Sequence, residues 1–193
     1  MTEAGPHGMQ IRNAVAADAE AIARVHVTAW QEAYRGILPE TFLASLSIER
    51  RQEMWTTILA GTQPSPGNFV LTDRSGTVVG FSSAGRAREP RAVFEGELYS
   101  IYLLALFHGK GFGRSLFRAA ANSLLQSGVG SMMLWVLKDN PTRGFYQHLG
   151  GVVDGEQSTE IGSQAYLEIA YKWPDLSGWL RDSAAIGVDS PGT

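Results

Sequence analysis

The spacing of apolar residues changes along the chain, and each change marks an element. Gln10–Ala14 alternates and predicts a first strand behind a loose Met1–Met9. Ala21, Ile22, Val25, Ala29 and Trp30 then recur at helical spacing. They predict a helix from an Asp18 cap to about Tyr34, ended by Gly36. Pro39 opens a second helix to about Leu46, and Ser47 caps a third over Ile48–Leu59 with Met54, Trp55 and Ile58 inward. Gly61–Gly67 carries Gly, Pro and Ser and reads as a loop.

Shorter apolar runs follow. Phe69–Asp73 and Thr77–Ser83 flank the turn sequence Asp73-Arg74-Ser75-Gly76 and predict a hairpin. Charged residues over Arg86–Arg91 break the pattern, and Val93–Leu104 predicts a long strand. Gly111–Gln126 predicts a helix that turns Leu116, Phe117, Ala120, Leu124 and Leu125 toward a sheet. Met132–Leu137 is an apolar run of strand length, expected to be buried on both faces. Pro141–Leu149 predicts a short helix stopped by Gly150-Gly151, and Val152–Asp154 and Ala165–Trp173 predict closing strands. Beyond Trp173 the signal fades. The reading is one domain over 9–173 and a tail over 174–193, disordered from Asp182. The order is an α/β layout, and the helix between Val93–Leu104 and Met132–Leu137 makes those strands parallel neighbours.

Composition narrows the functions. With 193 residues, 44% hydrophobic and 18% charged, the chain is long enough for one well-filled core. A net charge of −3 gives no electrostatic case for a nucleic-acid partner. The chain has no cysteine, which excludes disulfides, thiolate metal ligands and cysteine nucleophiles. His7, His26, His108 and His148 show no ligand spacing, so no metal is expected. No apolar run reaches membrane-spanning length and Met1–Gly8 lacks the features of a signal peptide. A cytoplasmic protein with no membrane partner is expected.

One stretch carries chemistry. Glu97–Ala121 reads ELYSIYLLALFHGKGFGRSLFRAAA, a strand, a glycine loop and a helix. Gly109, Gly111 and Gly113 leave the backbone unshielded, and the helix that follows points its free N–H groups at the same space. Lys110 and Arg114 add charge. This is a site for an anion, and phosphate fits it best. The loop is neither G-x-x-x-x-G-K-[ST] nor G-x-G-x-x-G.

The order [QRH]-G-x-G-x-G after an aliphatic strand resembles motif A of the GCN5-related N-acetyltransferases. Leu134–Gly151, LWVLKDNPTRGFYQHLGG, resembles their motif B, and HVTAWQEAYRGILPE resembles a bacterial subgroup. His108 stands where Gln or Arg is usual, and Ala105 where many members have proline. The resemblance implies a mixed, mostly antiparallel sheet with splayed parallel fourth and fifth strands flanked by helices, the acyl-CoA N-acyltransferase fold. It implies acetyl-CoA as cosubstrate, without metal, and transfer of acetyl to a primary amine of a small molecule or protein N-terminus. A homodimer is allowed, and a non-catalytic acetyl-CoA sensor of the same fold is the alternative.

The resemblance assigns site residues. His108, Gly109, Lys110, Gly111, Phe112, Gly113 and Arg114 hold the pyrophosphate. Backbone groups of Ile101, Tyr102 and Leu103, freed by a bulge and splay, hold the pantetheine and acetyl oxygen. Tyr146 is the candidate acid for the leaving thiolate, with Phe145 turned to the core; a core aromatic would explain Tyr146 equally. Asn140 is a helix cap, a pantetheine partner, or both. Glu97 is the candidate base, on one strand face with Glu95, Tyr99 and Ile101. Trp30, Tyr34, Glu95 and Tyr99 are the candidate acceptor contacts, with Arg35 near them.

Overall fold

The protein's structure, a computed structural model, describes residues 8–61, 67–88 and 94–185. Its elements are β1 (Gln10–Asn13), α1 (Ala19–Ala33), α2 (Glu40–Ala44), α3 (Ile48–Ala60), β2 (Phe69–Thr72), β3 (Val78–Arg86), β4 (Gly96–Leu103), α4 (Phe112–Gln126), β5 (Met132–Leu137), α5 (Arg143–His148), β6 (Val152–Ile161), β7 (Gln164–Trp173) and α6 (Leu176–Ala185). The strands form one sheet in the order β1-β2-β3-β4-β5-β7-β6. Every neighbouring pair is antiparallel except β4 and β5. The expected mixed sheet is what forms.

Each face of the sheet buries a helix layer. On one face α4 turns Phe117, Ala120 and Leu124 onto Met132, Tyr171 and Trp173, all at most 2% exposed. On the other, Ile22 of α1 and Trp55 of α3 close over Val70 and Phe81. Several local devices act as expected. Ser47 accepts the Arg50 N–H and caps α3, and Asp73 accepts the N–H groups of Ser75 and Thr77 in the β2–β3 turn. Asp18 does not cap α1. Its carboxylate pairs with Arg12 and accepts the Val15 N–H, closing the 3-10 turn that precedes the helix. Met9, expected in a loose end, is buried against Leu71 and Leu116; residues 1–7 lie outside the described residues.

Three differences from the sequence reading matter. The strand expected over Val93–Leu104 runs over Gly96–Leu103, with Val93 outside the described residues. The last two strands are a long hairpin turning at Gly162, where β6 was expected to stop at Asp154. The tail expected after Trp173 begins as α6. Leu176 is fully buried and Trp179 stands on the Phe117 ring at 4.9 Å, so α6 completes the α4 layer. Its last turn takes in Asp182, where disorder was expected; residues 186–193 lie outside the described residues.

The sheet opens in its middle. Gly96 starts β4 hard against the β5 side, where an added Cβ would stand 2.8 Å from the Ser131 carbonyl oxygen. The parallel ladder then holds only Gly96 opposite Met132 and Glu97 opposite Met133. Next, β4 bulges: Leu98 pairs with Ala84 and Ser100 with Ser83, leaving Tyr99 extra. Beyond that point β4 and β5 diverge, and the backbone edge from Leu98 to Leu103 has no β5 partner.

Candidate active site

The divergence of the two strands makes a cleft of about 1020 Å³. One wall is β4 from Leu98 to Leu103, and the opposite wall is Leu134–Val136 of β5 with Asn140, Phe145 and Tyr146. The glycine loop closes one end. Gly109 and Gly111 have φ of +71° and +82°, a left-handed backbone that glycine adopts without strain. Nothing lies within 4 Å of the place a Cβ would occupy at either one, so the space inside the loop belongs to the backbone. Gly111 is also the N-cap of α4, and no side chain caps that helix. Its first N–H groups and positive dipole end therefore remain available to an anion.

The loop residues divide. Gly109, Gly111, Gly113 and Arg114 line the cleft. His108 lines it too, with its Nε2 3.0 Å from the Leu103 carbonyl oxygen, which ties the loop back to the end of β4. Lys110 is exposed, its ammonium over the Phe107 ring at 5.7 Å and outside the cleft. Phe112 packs its ring into the core near Leu71 and Leu116. Neither of these two side chains lines the cleft. Ala105, in place of proline, sits in a 3-10 turn whose N–H reaches Glu32 Oε2 at 3.3 Å.

The bulge decides where the β4 side chains go. A regular strand would put Glu97, Tyr99 and Ile101 on one face. The extra residue shifts the alternation, so Ile101 joins Leu98 on the α4 face and Tyr102 turns to the α1 face. There the Tyr102 ring stacks on His26 at 5.2 Å, and its hydroxyl lies 3.4 Å from the Tyr34 hydroxyl. Burial pushes the Tyr102 phenol well up, and the neighbouring Tyr34 adds to it. Burial likewise raises Tyr34, opposed by hydrogen bonding to Tyr102 and Asn140. Tyr146 lines the cleft beside Phe145, which packs against the core as expected and also shares that wall. Burial raises the Tyr146 phenol strongly, with Tyr34 adding to the effect, so it keeps its proton at neutral pH. Asn140 is buried and accepts the Thr142 N–H at 2.9 Å and hydroxyl at 2.7 Å, so its carbonyl oxygen is spent on shaping the turn into α5.

A second cleft of about 600 Å³ meets the first through Tyr34, Tyr99 and Tyr102. Trp30 lines this cleft, with its ring 4.9 Å from that of Tyr34. Glu97 opens into this second cleft and not the first. It is 5% exposed and locked by Arg88, whose Nε lies 3.1 and 3.2 Å from its two oxygens and whose Nη2 and backbone N–H also donate to it. Burial raises the Tyr99 phenol, with Glu97 adding and Arg88 opposing. Glu95 is elsewhere: it precedes β4 and accepts the Gly130 N–H at 3.0 Å, lining neither cleft. Arg35 lines neither cleft. Among the described residues, no group of three or more His, Cys, Asp and Glu is placed to hold a metal, and no helix is long and apolar enough to cross a membrane.

The sequence reading passed over Glu32, Trp135 and His148 in the first cleft and Arg88, Gln157 and Glu168 in the second. Gln157, Thr159 and Ile161 do alternate along β6, which was the available signal for a longer hairpin. Nothing in the sequence marks Arg88 or Glu168.

A family model described as "Acetyltransferase (GNAT) family" matches residues 27–151. An N-acetyltransferase of Bacillus subtilis, YuaI, itself uncharacterised, is 37% identical over 167 residues, covering 86% of this chain and 94% of that one. The chain belongs to the GNAT acetyltransferase family. Solved structures share the fold at low identity. PaiA N-acetyltransferase from Thermoplasma acidophilum, in complex with coenzyme A, superposes with a TM-score of 0.64 at 19% identity, covering 86% of this chain and 99% of that one. An N-acetyltransferase from Staphylococcus aureus gives 0.63 at 20% identity, covering 88% and 99%. In this GNAT chain, the match of residues 27–151 takes in both the splayed strands and the glycine loop.

Proposed function

We propose that this GNAT chain moves an acetyl group from acetyl-coenzyme A to a primary amine, with the cosubstrate in the first cleft and the amine in the second. One observation carries the reading. The unpaired edge of β4 runs straight into the left-handed glycines and the uncapped start of α4, along a single cleft. An extended ligand with a phosphate group at one end and amide groups along its length fits that succession of donors.

The backbone of residues 109–114 and the Arg114 side chain hold the pyrophosphate. Lys110 and Phe112 contribute backbone N–H groups only. The Ile101, Tyr102 and Leu103 backbone pairs with the pantetheine arm and orients the acetyl oxygen. The cosubstrate supplies an activated acetyl thioester. The amine loses a proton to solvent water and attacks the thioester carbon, and the C–S bond breaks. Tyr146 gives its hydroxyl proton to the leaving thiolate, regaining one as the new amide nitrogen releases its second proton to solvent. The raised pKa of Tyr146 keeps its proton on until the sulfur carries charge, at some uphill cost. Glu97 shapes the acceptor cleft through Arg88, since a carboxylate filled by three donor groups must give them up to take a proton. A cytoplasmic location fits this reading, because it gives access to coenzyme A.

The test is Tyr146→Phe, which keeps the ring and removes the hydroxyl. The expected result is a fall in kcat of roughly 10²-fold or more with a melting temperature close to wild type. An unchanged kcat at neutral pH would assign the proton to water or another group.

A further inference from the structure

The acceptor cleft has a charge pattern that selects among amines. Resting on the reading above, in which this cleft takes the amine, we infer that the acceptor is a small primary amine on an aromatic or aliphatic body, with no carboxylate beside the nitrogen, and that Glu168 receives its ammonium group.

The formal charges lining the cleft, among the described residues, are two carboxylates, Glu97 and Glu168, and one guanidinium, Arg88. The described side chains that line the cleft sum to a net negative charge, which attracts a cation. Arg88 is the group that an acceptor carboxylate would need. Its Nε and Nη2 are already taken by Glu97, and its guanidinium lies over the Tyr99 ring at 5.1 Å. A carboxylate that displaced Glu97 would leave a buried anion without its partner. An acceptor carboxylate would find only Nη1 of Arg88 outside these contacts and would lie in a cleft with Glu97 and Glu168, a repulsive element against amino-acid acceptors.

Glu168 is the complement. It is half-buried on β7, across the hairpin from Gln157, whose Nε2 donates to its Oε2 at 3.1 Å. Among the described residues no cation stands within 4.0 Å of it. Glu168 shares its cleft with Tyr34, Tyr99 and Tyr102, which also line the first cleft, so an amine held there is in a space continuous with the acetyl side. The same cleft is lined by the aromatic side chains of Trp30, Tyr34, Tyr99 and Tyr102, which suit an apolar body. A volume of about 600 Å³ is in the range of small-ligand sites.

The experiment compares phenethylamine with L-phenylalanine, which share ring and linker and differ by the carboxylate, and adds a short peptide with a free N-terminus. Acetyl transfer is followed as released thiol, and with no cysteine in the chain every thiol counted is coenzyme A. The expected kcat/KM for phenethylamine exceeds that for L-phenylalanine and the peptide by roughly tenfold or more, about 1.4 kcal/mol. Glu168→Gln is expected to raise the phenethylamine KM about tenfold and leave the acetyl-CoA KM unchanged. Equal or better use of L-phenylalanine or the peptide would overturn the inference. So would a Glu168→Gln variant with unchanged amine KM, or with its change in the acetyl-CoA KM instead. Thiol release from no amine at all, by a protein that binds acetyl-CoA in calorimetry, would overturn the transfer reading itself.

Discussion

Acid should destabilise this protein through one buried histidine. His26 is 6% exposed on α1, walled by Tyr102, Phe81, Trp30 and Trp55. Its Nδ1 accepts the Trp55 indole N–H at 3.2 Å, so the neutral ring carries its hydrogen on Nε2. Burial, with the charge of Arg51 adding to it, lowers its pKa from 6.5 to about 3. Above pH 6.5 neither state binds the proton and stability is complete. As pH falls below 6.5 the unfolded chain takes a proton that the folded chain refuses, and stability drops until about pH 3, where the folded form binds it too. At about pH 5 the gap of some 1.5 units below the unfolded pKa costs about 2 kcal/mol. That is a large share of a typical net stability of about 5–15 kcal/mol.

Urea unfolding followed by tryptophan fluorescence, at about pH 7.5 and pH 5, measures the loss. Carboxylates titrate in this range as well, so the useful quantity is the difference from a variant without the imidazole. His26→Gln keeps an acceptor for Trp55. Wild type should lose about 2 kcal/mol more than this variant between the two pH values. Equal losses in the two proteins would show that His26 is protonated in the folded state, and would refute the argument from burial.

Three further outcomes are expected. Gly111→Asp puts a side chain on a φ of +82° and a negative charge beside the anion site; calorimetry should show acetyl-CoA affinity down by roughly 100-fold or more while circular dichroism stays native. Gly151→Ala places a Cβ 2.7 Å from the Trp173 ring and 2.8 Å from the Tyr146 carbonyl oxygen, so chemical denaturation should show a loss of about 1–3 kcal/mol, and kcat should fall because the turn carrying Tyr146 is displaced. Glu97→Gln frees Arg88 within the acceptor cleft, so the loss should lie mainly in the amine KM at every pH; a kcat loss that shrinks as pH rises would instead make Glu97 the base.

What could be read from the chain alone was what depends on neighbours in sequence. The glycine loop is such a case. Left-handed glycines and an uncapped helix start are consequences of a few consecutive residues, so the backbone geometry of 109–114 was legible before any fold was known. The Met132–Leu137 strand, the Ser47 cap and the Asp73 turn were legible for the same reason. The tertiary structure decided the direction of β4 side chains and the company they keep. A single extra residue at Tyr99 reverses strand alternation, which sends Tyr102 to the α1 face and Ile101 to the α4 face. Glu95 and Glu97, two apart in sequence, end on different partners because one precedes the ladder and the other is caught by Arg88. Glu168 shares a cleft with Trp30 and Tyr34 because the β6–β7 hairpin returns beside β5. Burial is likewise a property of the assembled layers, which is why His26 looked like any histidine in the sequence and is held neutral in the fold. Local geometry is specified by short-range sterics and hydrogen bonds, whereas charge, burial and side-chain convergence come from residues far apart in the chain.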